Sequence, residues 1–221
     1  MSDRERDLQQ REQDLAARER QLREQQAAMG TAGARPANNF PPFYPVMYHN
    51  IDAEIPVHEQ KTVRYLFRSW LILEATVVFN LISCFVLMVS HIEQNWTGTT
   101  DFGVSFTYLF TATFGSFFLW YRPVYNAYMK EKSLYYFIYF VFGGLHILFS
   151  AYMAAGFYGS GSAGLINTIN ALSHSAWAAG VFGIINSAAW ICQVLFHLYM
   201  YKRVYTHYRT QGHTFADAKA Q

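Results

Sequence analysis

An all-α membrane protein with four transmembrane helices is the fold class that the sequence predicts, on three observations. Charged residues make up 14% of the chain and apolar residues 52%, against the roughly 25% charged of a soluble domain. Four apolar stretches, about 70–91, 102–121, 134–157 and 176–200, each approach the ~20 residues that cross roughly 30 Å of hydrocarbon. Basic residues gather at alternate ends of these stretches, as the loops of a membrane bundle require.

The mean hydropathy of +0.03 averages two unlike parts. Residues 1–30 hold thirteen of the 32 charged side chains, whereas 70–200 is nearly free of charge. No arginine-rich stripe suits a nucleic acid, so none is expected as a partner. Cys84 and Cys192 both fall inside apolar stretches, where neither forms a disulfide pair or a paired metal motif. The N-terminus lacks the apolar core of a cleaved signal peptide, and insertion is expected to start from an internal segment.

Residues 1–30 read as a charged helical arm. Leu8, Leu15, Leu22 and Met29 repeat every seven residues, but the second seam position of each heptad is Glu or Arg. That pattern fits either a weak, partner-assisted coiled coil or a solvated single helix held by charge pairs. Residues 31–55 form a Pro- and aromatic-rich linker. Pro41, Pro42 and Pro45 forbid helix and favour an extended run. Within it, Pro42 to Pro45 fits a bare PxxP, and Tyr44 with Met47 fits a tyrosine-based sorting signal; a linker touching the membrane surface is the plainer reading. Residues 56–69 place Lys61, Arg64 and Arg68 on one helical face and Val63, Leu66, Phe67 and Trp70 on the other. This is an amphipathic interfacial helix that feeds the membrane domain, residues 70–201.

The stretch joining spans two and three, Trp120 to Lys132, carries the only basic residues in the middle of the apolar region. Pro123 is expected to end the preceding helix where the charge begins. Trp120, Tyr121 and Tyr125 have apolar bodies and polar tips suited to the headgroup layer. Arg122, Lys130 and Lys132, offset by Glu131, supply about 2 kcal/mol of attraction to an anionic leaflet. With both far-side loops free of Lys and Arg, the basic residues put this linker, both termini and the 202–221 tail on the cytoplasmic side.

Asn95-Trp96-Thr97 is a glycosylation sequon, expected to stay unmodified because it sits close to the bilayer. In the second far-side loop Leu165, Ile169 and Leu172 share one face of a short surface helix. Glu74, His146 and Asn186 are intramembrane polar groups, which opens a proton- or ion-transport reading beside that of structural hydrogen bonding. Internal repeats and broken helices, the usual marks of a transporter, are missing. Small residues at Gly143, Gly144 and Gly156, and at Ala179, Gly183 and Ser187, allow close helix packing, including self-association into a homo-oligomer. No catalytic, metal or cofactor constellation is legible, so no enzymatic activity is expected.

Four motifs in order carry a family resemblance: Asn39-Phe40-Pro41-Pro42-Phe43-Tyr44-Pro45, Glu54-Ile55-Pro56, Trp120-Tyr121-Arg122-Pro123-Val124-Tyr125 and Val204-Tyr205-Thr206-His207-Tyr208-Arg209. From about residue 38 to 212 the chain resembles the secretory carrier-associated membrane proteins. The resemblance implies a non-enzymatic vesicle protein that acts in endocytosis, exocytosis and post-Golgi sorting. Its expected compartments are the trans-Golgi and endosomes, post-Golgi vesicles and the plasma membrane, with trafficking proteins as partners. It also implies phosphoinositide contact through Trp120, Tyr121, Arg122, Tyr125, Lys130 and Lys132. Asn-Pro-Phe repeats are missing, which places adaptor recruitment by them in doubt; Pro-Pro-Phe-Tyr-Pro and the short tail look closer to plant or protist members.

Overall fold

A computed structural model describes residues 37–42, 44–90 and 97–214. The heptad arm at 1–30 and the sequon at Asn95 lie outside the described residues. The chain divides into two units, one ending at Asn50 and the other starting at Ile51.

In the first unit the Pro-rich run reverses on itself instead of extending. Phe40 and Met47 exchange backbone hydrogen bonds of 3.0 and 3.1 Å, and Tyr44 N–H donates to the Pro41 carbonyl. The prolines lack donors, so closure falls to non-proline residues on either side. Asn39 reinforces it, accepting from the His49 N–H at 2.7 Å and donating to the His49 carbonyl at 3.1 Å.

In the second unit a single turn, α1 (Ile51–Glu54), precedes α2 (Gln60–Val89) and α3 (Gly98–Ser116). A π-helical turn, Phe117–Tyr121, leads into α4 (Arg122–Lys130); then come α5 (Ser133–Ala155), α6 (Leu165–Ser173) and α7 (Trp177–Thr210). The amphipathic lead-in is therefore continuous with span one: α2 runs 30 residues, about 45 Å at 1.5 Å per residue. Lys61, Arg64 and Arg68 are exposed along it, while Val63, Leu66 and Trp70 are buried against the protein. Several hydroxyls inside the apolar helices are satisfied locally: Thr76, Ser83 and Ser90 each donate to the carbonyl four residues earlier at 2.8 Å.

Pro123 does not end span two. The helix widens into the π turn just before it, where Arg122 N–H donates to the Phe117 carbonyl. This i→i+5 bond shifts the ladder, and the proline falls at the first positions of α4, where its missing N–H is harmless. The helix stops at Glu131 instead, which takes a left-handed conformation (φ 47°) and donates its N–H to Ala127 O at 2.8 Å.

α2 packs against both α3 and α7, and α5 against α7. α6 lies across α7, where Gly183 leaves room for the Thr168 side chain: a Cβ there would stand 2.2 Å from its Oγ1. Ala179, Gly183 and Ser187 are thus buried inside the chain. Leu165 and Ile169 face outward on α6 while Asn167, Thr168 and Ala171 face in.

α5 ends at Gly156, with φ +62°, and a Cβ there would lie 2.3 Å from the Gly164 Cα. Gly156→Ala is expected to lower stability by about 2–4 kcal/mol, combining left-handed strain with overpacking. Gly103→Ala, which faces open space, is expected to change it by less than about 1 kcal/mol. Thermal unfolding of both variants in one detergent checks the contrast.

Candidate functional site

On the face away from the linker, Asp101 in the first turn of α3 is fully buried. Its carboxylate accepts the Thr97 hydroxyl at 2.6 Å and the N–H groups of Gly161 at 2.9 Å and Gly159 at 3.3 Å. Asn80 of α2 holds the other side of the same peptide segment, donating to Gly161 O at 2.8 Å and accepting from Ala163 N at 3.3 Å. Asn186 of α7 donates to Asn80 at 2.9 Å. The loop between α5 and α6 is therefore fastened to two helices by its backbone.

Deeper in the bundle the polar residues form separate networks. Glu74 accepts from Thr113 and Ser116 of α3, and the Ser116 oxygen accepts the Trp70 indole N–H at 2.9 Å. His197 Nδ1 faces the Gln193 carbonyl at 3.0 Å, which only accepts. Nδ1 therefore carries the hydrogen, and Nε2 accepts from Ser69 at 2.9 Å. His146 packs on His197, with ring centroids 4.5 Å apart. Glu74, His146 and Asn186 thus stand in three different clusters.

The linker face is built around Glu131 and His207. His207 Nδ1 lies 3.1 Å from Glu59 Oε1 and its Nε2 3.1 Å from Glu131 Oε1. Carboxylates only accept, so the ring satisfies both by donating from both nitrogens, as an imidazolium. His213 Nε2 reaches Glu131 Oε2 at 3.3 Å, and the Tyr136 hydroxyl donates to the same oxygen at 3.0 Å. Burial pushes the Glu131 carboxyl up, but hydrogen bonds from His207, His213 and Tyr136 and the charge of His207 outweigh it and hold its pKa below the usual value. Glu131 of the linker thereby meets the start of α5 and the end of α7, and His207 carries the contact on to Glu59, just before α2.

The residues expected to bind lipid divide into two sets. Trp120, Tyr121 and Tyr125 are buried, at 2%, 0% and 0% exposure. The Trp120 ring sits against His146 and His197 at 5.3 and 5.1 Å, Tyr121 lies on Phe67 and Trp70, and the Tyr125 hydroxyl donates to Glu54 at 2.6 Å. Lys130 and Lys132 are exposed and Arg122 is half-buried, with Arg122 over Phe118 and Lys130 over Tyr135. In the first unit Tyr44 is 71% exposed and Met47 is 7% exposed. Sequence reading passed over Asp101, Glu59 and His213 and treated Glu131 only as an offsetting charge. The available signal was a single acid in a basic linker, followed after span four by histidines at 207 and 213.

Four helices long and apolar enough to cross a membrane, tied at one face by a linker and at the other by a carboxylate-bound loop, define an integral, multi-pass α-helical membrane protein. Residues 37–211 match the SCAMP family, and the chain belongs to that family. It is 30% identical to secretory carrier-associated membrane protein 1 of Homo sapiens, over 83% of this chain and 55% of that protein. Plant members match equally: protein 3 of Oryza sativa subsp. japonica at 30% over 79% of this chain and 61% of that protein, and protein 4 of Arabidopsis thaliana at 30% over 77% and 64%. The chain thus spans between half and two thirds of the length of these curated relatives. No solved structure matches it significantly.

Glu131→Gln puts amide N–H groups among donors from Tyr136, His207 and His213. It is expected to lower stability at pH 7 by about 1 kcal/mol, a figure discounted for partial exposure. Because the folded carboxyl titrates below its unfolded value, its contribution is full above the usual carboxylate range and is lost as pH falls through the folded pKa. Melting curves of the two proteins should therefore converge as the pH drops below about 4.5.

Proposed function

We propose that the protein is a non-enzymatic membrane component of secretory and recycling vesicles, acting in post-Golgi trafficking, endocytosis and exocytosis. In this reading the linker face is cytoplasmic and contacts anionic phosphoinositides. The observation that carries it is the division of the linker into an inward aromatic half and an outward basic half. Trp120, Tyr121 and Tyr125 are used up in packing, so they position the linker, and Arg122, Lys130 and Lys132 meet the headgroups. Glu131 is turned toward His207 and His213, which reduces its offset of that charge. Three basic residues near an anionic leaflet then contribute about 2–3 kcal/mol, a bias that concentrates lipid without tight capture.

The basic collar widens the same surface. Lys61 and Arg64 of α2 and Lys202 of α7 are exposed, on the face from which insertion topology excludes the far loops. Transport through Glu74, His146 and Asn186 is disfavoured, because the three polar groups belong to separate hydrogen-bond networks. The exposed Tyr44 leaves a contact for sorting proteins open, but the buried Met47 does not present the second half of a tyrosine-based signal.

The test is Arg122→Ala with Lys130→Ala and Lys132→Ala in the full-length protein reconstituted into liposomes. Enrichment of a fluorescent phosphoinositide around the protein, read by energy transfer, is expected to fall by about 30-fold or more in affinity. In cells the same variant is expected to slow uptake of a membrane tracer. Unchanged enrichment together with unchanged uptake would refute the proposal.

A further inference from the structure

A cleft of about 340 Å³ lies between α2 and α7. Ile72, Ala189 and Phe196 form its apolar walls, with Tyr65 and Arg68 among its lining toward the outer end. The Ser69–His197 hydrogen bond of 2.9 Å joins the two helices along it. The cleft therefore runs from the level of a cation on the linker face inward along two apolar helices.

Two of its polar groups lack partners. Arg68 is exposed and makes no ion pair or hydrogen bond with any described residue, whereas Arg64, one turn earlier, pairs with Asp52. Gln193 is 3% exposed and its Nε2 has no hydrogen-bond partner. That nitrogen is enclosed in the wall of the cleft, and the cation at its mouth is the group open to a ligand. A second cleft, of about 310 Å³ and lined by residues of α3 and α5, also contains an unpartnered group, the Trp120 indole N–H, but no charged residue lines it.

We propose that this cleft holds one anionic glycerophospholipid of the linker-face leaflet. The guanidinium of Arg68 takes the phosphodiester, and one acyl chain lies along Ile72, Ala189 and Phe196. A single guanidinium balances the net single negative charge of a phosphatidylserine headgroup, which a zwitterionic headgroup lacks and a polyphosphorylated one exceeds; this separates the site in chemistry as well as place from the linker. The volume admits part of one acyl chain, so the rest of the lipid stays in the bilayer. The site does not depend on phosphoinositide contact at the linker.

Native mass spectrometry of the full-length protein released from nanodiscs reads the retained lipid directly, with phosphatidylserine and phosphatidylcholine as probes. The expected result is one phosphatidylserine retained in preference to phosphatidylcholine. Arg68→Gln should weaken that retention about five-fold, and Ala189→Phe, which fills the cleft, should abolish it. The triple Ala variant of Arg122, Lys130 and Lys132 should leave it unchanged. Equal retention of the two lipids by the wild type would overturn the proposal, as would undiminished phosphatidylserine retention in Arg68→Gln. Arg68 makes no ion pair or hydrogen bond among the described residues, so that variant decides the matter even where Ala189→Phe lowers the melting temperature.

Discussion

The ring of His207 between Glu59 and Glu131 is the contact on which the linker face depends. Its two nitrogens meet carboxylates from opposite directions, so a protonated ring satisfies both acids at once. Glu59 precedes the first long helix, Glu131 closes the helix that leads out of the second, and His207 sits near the end of the fourth. His213 and Tyr136 add the tail and the third span through the same carboxylate. Apolar packing within a bilayer does little to select neighbours, because lipid is as apolar as leucine. A charged contact at the rim supplies a specific register that the helices' apolar surfaces do not.

The far face is ordered by a related device of opposite design. Asp101 has no basic partner among the described residues and is held by hydroxyl, backbone N–H and amide donors. A carboxylate bonded in this way can order a loop without a counter-charge. Such an arrangement suits a loop that carries no Lys or Arg. The two faces thus differ in how they hold an acid, by imidazolium on one and by backbone on the other.

The spans were legible because uninterrupted apolar composition leaves a chain few alternatives to helix in a membrane. Their ends were less so. The first and last helices extend well beyond the apolar window, since Val63 and Leu66 of α2 and Val204 and Tyr208 of α7 remain buried where basic residues begin. Pro123 looked like a terminator, and the preceding π turn made it a passenger. The aromatics at Trp120 and Tyr121 carry the composition of a headgroup belt, yet they pack inward on histidines and aromatics from other helices. Composition along one helix does not reveal which face its neighbours occupy. Asp101 with Gly161, and Glu131 with His207, are contacts between residues 60 and 76 positions apart, and no local pattern announces them.

The π turn at Phe117–Tyr121 has a meaning beyond its tolerance of proline. It amounts to one extra residue threaded into an otherwise α-helical path, and each residue of such a helix turns the chain by about 100°. Without that residue the helix would continue smoothly, but everything after it would be rotated, carrying Tyr125 and Tyr128 from the interior toward the surface and displacing Lys130 from its outward bearing. A five-residue irregularity therefore acts as an angular offset. It sets which side of the linker is scaffold and which is contact surface, information carried by the phase of the helix rather than by the identity of any one side chain.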